Sequence, residues 1–307
     1  MLLLALTAGL AALCRNRPPA LRHAIWVAGL AGLVIMLPLS GLLPRLHLGL
    51  VAGGRAGLGP NLLLLAWLLP ASLLLLAMVR NRIALGRMRR SAVPVSDPAI
   101  LALAADIASQ LGIRRSVDLV RHADPVPRTF GTLRPVILLP FGSDQWSRER
   151  LRMTLLHELA HVARLDAATG GLARFAAAFH WFNPLAWLSL RALGDLAERA
   201  CDARVLANGA EPGAYARLLL ETAREAAMGR PGWRGAAAMT DAENLEGRLR
   251  LILGRASRED RPRPVQLAAV TALAALVTLG LAPLRGEAPT HYGRLPAQAA
   301  SSVFSSE

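Results

Sequence analysis

His157, Glu158 and His161 stand in the order His-Glu-x-x-His inside an apolar stretch that holds Leu155, Leu156, Leu159, Ala160 and Val162. Two histidines four residues apart on an α-helix lie one turn apart along its axis and about 40° apart around it, so both imidazoles reach one metal ion. A glutamate beside the first histidine can take a proton from a water whose pKa a zinc ion has lowered towards ~7, which is the chemistry of metal-assisted peptide hydrolysis. The apolar flanks suit a buried helix, and Ser147 with Glu149 supplies its start. A chance pattern on a core helix is the alternative, and the downstream sequence weighs against it. In Glu198-Arg199-Ala200-Cys201-Asp202 two carboxylates four residues apart share one face of a second helix. Glu198 is then the third zinc ligand, and Asp202 is placed to accept the N–H of a liganding histidine. The other reading of this pair is a solvated helical face partnered by Arg199 and Arg204. His180 is a rival third ligand, although Asn183 and Pro184 just after it look like a helix start. Cys201 has no second cysteine at ligand spacing and reads as a packed thiol.

The elements that must position these residues belong to a chain rich in apolar residues, 53% of its 307, with a mean hydropathy of +0.37. Residues 24–43, 62–79 and 265–284 are uncharged runs long enough to cross a ~30 Å hydrocarbon layer. Residues 1–13 are also uncharged and read as a short or tilted span. A cleaved signal peptide fits poorly, because no basic residue precedes the run and Leu13 precedes Cys14. Arginines follow the first run (Arg15, Arg17, Arg22) and the third (Arg80, Arg82, Arg87, Arg89, Arg90), and precede the last (Arg255, Arg258, Arg261, Arg263). These flanks are expected to be cytoplasmic. The chain therefore reads as four transmembrane helices, with three N-terminal segments over 1–79, a cytoplasmic domain over 80–260 and an extracytoplasmic tail over 285–307. The net charge of +14 is concentrated beside the spans, where it orients the chain and meets anionic lipid, so direct nucleic-acid binding is not expected. All 35 basic residues are arginine, a skew that reads as high genomic G+C content. Cys14 and Cys201 fall at the cytoplasmic side, which argues against a structural disulfide.

Within the cytoplasmic block, Asp97-Pro98 starts a helix that runs to Leu111 and ends at Gly112. Residues 117–120 and 135–140 read as short strands ahead of the zinc helix, which makes the domain α+β. Prolines bracket Val136 to Leu139, which suggests an edge strand open to an extended substrate, with an ordinary buried strand as the alternative. Residues 167–193 are apolar but too short for two crossings. A single crossing would part His157 from Glu198, so this stretch is expected to pack in the domain or on the membrane surface. Residues 214–227 and 245–253 read as further helices, and 229–241 as an exposed linker.

The chain resembles the BlaR/MecR antirepressor family of integral-membrane zinc metallopeptidases. The resemblance rests on the span pattern, on Phe130-Gly131-Thr132-Leu133-Arg134-Pro135-Val136-Ile137-Leu138-Leu139-Pro140, on His157-Glu158-Leu159-Ala160-His161, on Phe182-Asn183-Pro184-Leu185-Ala186-Trp187, and on Glu198 to Asp202. It implies a gluzincin-type, zincin-like fold in a bacterial inner-membrane protein, with Zn2+ held by His157, His161 and Glu198. It also implies Glu158 as general base and Asp202 as the carboxylate behind a ligand. The implied substrate is a cytoplasmic, DNA-binding winged-helix repressor, together with self-cleavage in the 229–241 linker. The sequence ends at Glu307, so the outer penicillin-binding sensor of such proteins is not expected, and a signal would enter through the spans, the outer loop or a partner. A silent membrane scaffold, which the intact Glu158 speaks against, and a housekeeping membrane-protein protease are the alternative functions. Oligomeric state is open, a homo-oligomer included.

Overall fold

The computed structural model describes residues 2–42, 46–48, 60–228, 236–254, 264–281 and 284–286. In chain order these form α1 (Leu2–Leu13), α2 (Pro19–Leu42), β1 (Leu46–Leu48), α3 (Pro60–Ser91), β2 (Val93–Pro94), α4 (Pro98–Gln110), β3 (Asp118–His122), β4 (Arg128–Phe130) and β5 (Val136–Pro140). A 3-10 turn (Phe141–Gln145) leads to α5 (Arg148–Arg164), α6 (Asp166–Phe179), α7 (Pro184–Ala207), α8 (Pro212–Met228), α9 (Ala236–Leu253), α10 (Pro264–Leu281) and β6 (Leu284–Gly286).

Helices stand at all four apolar runs. Two of them, over Pro19–Met36 and Leu64–Ser91, are long and apolar enough to cross a membrane, while α1 and the Ala268–Leu279 stretch of α10 are shorter. Both α1 and α10 pack on α2. The approach is close because α2 presents glycines. A Cβ built on Gly29 would lie 2.3 Å from Thr7 Oγ1, and one on Gly32 would lie 2.4 Å from Thr278 Oγ1. Small residues at such crossings let helices touch where no hydrophobic force between them is available. The third apolar helix does not stop at the expected boundary near residue 80. It continues unbroken to Ser91, so one rod joins the apolar layer to the strand β2.

The sheet has the order β2-β3-β5-β4, with β3 and β5 parallel and the outer pairs antiparallel. Every residue of β5 is buried. Period-two alternation explains this: Ile137 and Leu139 enter a core with α4, α5, α8 and α9, while Val136 and Leu138 meet Met88 and Ala92 on the opposite face. Of the two readings of Val136 to Leu139, the structure takes the buried strand and not the edge. Pro135 and Pro140 bracket an interior strand, and β4 is the outer one on that side. Ser147 caps α5 by accepting from the Arg150 N–H at 3.1 Å, and Leu155, Leu156 and Leu159 are fully buried beneath it, each contributing about 1.5–3 kcal/mol. Asp97 and Asn183 cap α4 and α7 as their sequences imply. The expected linker is half helix, since α9 begins at Ala236 and absorbs both 236–241 and the short helix foreseen over 245–253. Residues 229–235 of that linker, and the tail beyond Gly286, lie outside the described residues.

A second core unites α1, α2 and α10 with α6 and the first half of α7, through Leu4, Ile25, Trp26, Leu30, Ala176, Ala177, Ala186 and Leu193. The 167–193 stretch is thus a helical hairpin packed against α2 and α3.

Candidate metal centre

His157 and His161 project from α5 towards Glu198 of α7, and one ligand atom from each lies within 4.8 Å of the others. The three separations are more telling. His157 Nε2 to His161 Nε2 is 3.2 Å, His157 Nε2 to Glu198 Oε2 is 3.4 Å, and His161 Nε2 to Glu198 Oε1 is 3.5 Å. Tetrahedral zinc with N and O ligands near 2.0–2.1 Å has ligand-to-ligand edges of about 3.3 Å. The two histidine nitrogens stand at such an edge, and Glu198 brings one oxygen to each of them at a similar distance, so the donor set fits the metal.

Each imidazole is oriented through its other nitrogen. His157 Nδ1 lies 2.8 Å from the Tyr215 hydroxyl, which donates to Asp202 Oδ1 at 2.8 Å. The expected contact of Asp202 with a histidine is thus relayed through Tyr215, the direct His157 Nδ1–Asp202 distance being 3.5 Å. His161 Nδ1 lies 2.9 Å from Asp166 Oδ2. Both arrangements leave Nε2 facing the cleft, as carboxylate–histidine–metal pairs require. Asp166 reaches back because Leu165, at φ 61°, takes the left-handed conformation and reverses the chain between α5 and α6. For a residue with a Cβ this costs about 1–2 kcal/mol. Burial alone would raise the Asp166 carboxyl, but the His161 hydrogen bond and the Arg164 charge outweigh it and hold it below the usual value.

Glu198 and Asp202 share a cation that comes from far along the chain. Arg248 of α9 donates to both Asp202 oxygens at 2.7 Å and lies 2.9 Å from Glu198 Oε2. Burial disfavours a charged Glu198, yet its contact with His157 and the Arg248 charge prevail and keep it far below the ordinary carboxylate range. The solvated-face reading, with Arg199 and Arg204 as partners, does not describe Asp202, which is 3% exposed.

Glu158 is buried beside the two histidines. Its Oε2 accepts from the Thr129 hydroxyl of β4 at 2.6 Å. Arg115 donates to the Thr132 carbonyl at 3.0 Å and to the Val162 carbonyl, tying the turn after β4 to the end of α5. A hydrogen bond to a charged group is worth about 1.5–3 kcal/mol. Thr129→Val is therefore expected to lower kcat about tenfold with metal content unchanged, and Thr129→Ser to restore it. A valine variant with wild-type kcat would show that Thr129 does not position the carboxylate.

The two rival ligands are placed differently. His180 ends α6 at the far tip of the hairpin and stands in neither group of converging ligand atoms among the described residues. Cys201 is fully buried with Sγ 3.4 Å from His161 Nδ1, on the side away from the cleft, and burial pushes its thiol up to about 11. With His161 and Asp166 it makes up the second group of converging ligand atoms among the described residues. Thr129, Asp166, Tyr215 and Arg248 were not foreseen. Tyr215 is one of only two tyrosines in the chain, which was its only mark, and Arg248 is lost among 35 basic residues.

The site opens into a cavity of about 700 Å³ lined by Met78, Asn81 and Arg82 of α3, by β4, and by Glu158, Glu198 and Arg248. Two histidines one turn apart, a carboxylate between them and a third ligand from a second helix define a metallopeptidase-type centre. The chain belongs to the BlaR1 peptidase M56 family, whose model matches residues 60–252. It is 29% identical over 143 residues to the regulatory protein BlaR1 of Bacillus licheniformis, a stretch covering 46% of this chain and 24% of that protein.

Proposed function

We propose that this chain is a membrane-embedded zinc metalloendopeptidase that hydrolyses a peptide bond of a cytoplasmic regulatory protein, a DNA-binding repressor of the winged-helix kind, and a bond in its own 229–241 segment. The observation that carries the reading is the convergence of His157, His161 and Glu198, each histidine Nε2 lying within 3.5 Å of a Glu198 oxygen and 3.2 Å from the other, with Glu158 beside them. Family membership supports peptidase chemistry, and the likeness to a protein named as regulatory supports the class of substrate. The arginine pattern and the apolar helices, two of them long enough to cross a membrane, support a reading with four spans, a peptidase domain on the cytoplasmic side and a bacterial inner-membrane location.

His157, His161 and Glu198 would hold zinc, which when bound supplies a Lewis acid and lowers the pKa of water. Glu158 takes the proton from the attacking water and returns it to the leaving amine, with Thr129 fixing its carboxylate. Tyr215, Asp202 and Asp166 hold the imidazoles in the tautomer that presents Nε2. An extended substrate pairs with the outer edge of β4, which borders the cavity.

The test compares newly formed protein N-termini in cells carrying wild type or Glu198→Ala, together with zinc content of the purified proteins. The variant is expected to lose zinc and every fragment that depends on the wild type, among them a cleaved repressor. Full zinc occupancy in Glu198→Ala would remove Glu198 from the ligand set. Wild-type-dependent fragments confined to membrane proteins would replace regulation by housekeeping.

A further inference from the structure

The turn between α6 and α7 stands far from the metal centre and takes no part in its chemistry. It packs against the middle of α3: the Trp181 indole donates to the Trp67 carbonyl at 3.2 Å, and the Trp67 and Phe179 rings lie 5.9 Å apart. Trp67 is 13 residues before Arg80, so at 1.5 Å per residue the turn lies about 20 Å along α3 from the arginines that mark its cytoplasmic end. A second ruler agrees. From Phe179 back to Asp166 along α6 is also 13 residues, about 20 Å, and there the cleft is lined by Met78, Asn81 and Arg82 of α3.

The turn also meets part of its backbone polarity within the protein. His180 N–H donates to the Ala176 carbonyl at 3.0 Å, and Asn183 N–H to the His180 carbonyl at 2.8 Å. The Trp187 indole donates to the Trp181 carbonyl at 2.8 Å, the Asn183 side chain accepts from the Leu185 N–H at 3.0 Å, and Pro184 has no N–H to satisfy. Such contacts matter because irregular backbone is tolerated at membrane depth only where protein or water meets its polar groups. Around it the surface is apolar. Phe182 and Leu188 are half exposed and Trp187 more than a third, beside the exposed Leu65, Leu68 and Leu69 of α3.

We propose that the α6–α7 hairpin is a re-entrant wedge that enters the acyl-chain region from the cytoplasmic side and turns back, with lipid chains as the occupant of its Phe182–Leu188 surface. The metal centre then sits at the level of the membrane surface, and its cleft takes substrate from the boundary between lipid and water. This rests on reading α3 as a transmembrane span.

The test uses the full chain in phosphatidylcholine/phosphatidylglycerol nanodiscs, whose two faces are both open. Cys14 is replaced by Ser, and the fully buried Cys201 is kept, its own labelling serving as the blank. Single cysteines are placed at Phe182, at Leu69 on α3 and at the exposed Gln145. A charged, membrane-impermeant maleimide should label Gln145→Cys readily and both Leu69→Cys and Phe182→Cys at least tenfold more slowly. A fluorophore at position 182 should be quenched by lipids spin-labelled in the acyl chain more than by headgroup-labelled lipids. Protection of position 69 with rapid labelling of 182 overturns the wedge alone. Rapid labelling of 69 overturns the span, and the wedge with it.

Discussion

Glu158→Gln should reduce peptide hydrolysis by about 10²–10⁴-fold, the usual contribution of a positioned general base, while zinc content stays at the wild-type level. The two halves of this result come from different atoms. The converging ligand atoms belong to His157, His161 and Glu198, and Glu158 is not among them. Its oxygen is engaged instead by the Thr129 hydroxyl, a contact that a glutamine oxygen can keep. The substitution therefore removes a proton acceptor and little else. Zinc by mass spectrometry and cleavage of the identified substrate read the two quantities separately. Loss of metal with loss of activity would mean that Glu158 helps to hold the ion, and normal cleavage would remove it from the base role.

Arg248→Met is expected to cost the metal-free protein about 3–5 kcal/mol, the range found when one partner of a buried ion pair is removed. Asp202 is the carboxylate that suffers, since its side chain is 5% exposed and Arg248 is the cation that meets both of its oxygens, leaving only the neutral Tyr215 hydroxyl among its short contacts. Glu198 keeps more than a third of its side chain open to the cleft and suffers less. Bound zinc brings positive charge to the same two carboxylates. The deficit should therefore be smaller in zinc-loaded protein than after chelation. Denaturant unfolding of both forms measures the difference. Equal stability of variant and wild type without metal would show that the pair contributes nothing net.

The legible part of this site was the part written in one helical period. His157, Glu158 and His161 are local, and the Glu198–Asp202 spacing repeats the same logic on a second helix. Helix starts at Asp97, Ser147 and Asn183 were equally readable, because a cap is a contact between residues two or three apart. What escaped came from elsewhere in the chain. Thr129 lies on a three-residue strand too short to announce itself, and its place beside Glu158 follows from strand order, which no local pattern encodes. The same ignorance of order left β5 open between edge and interior, since prolines at both ends of a strand fit either place. Arg248 reaches Asp202 across 46 residues of chain. Asp166 was hidden by Leu165, whose left-handed conformation is one that sequence gives no reason to expect of a leucine.

The unbroken run of α3 has a mechanical consequence. Its 32 residues make a rod of about 48 Å, beginning with an apolar stretch and parted from β2 by one residue, Ala92. Side chains near its middle, Met78, Asn81 and Arg82, form one wall of the cleft. A tilt of 5° about that middle would carry each end through about 2 Å, in opposite directions. The N-terminal end of α3 and the four-stranded sheet are thus joined as the two arms of a lever that passes the mouth of the candidate metal centre.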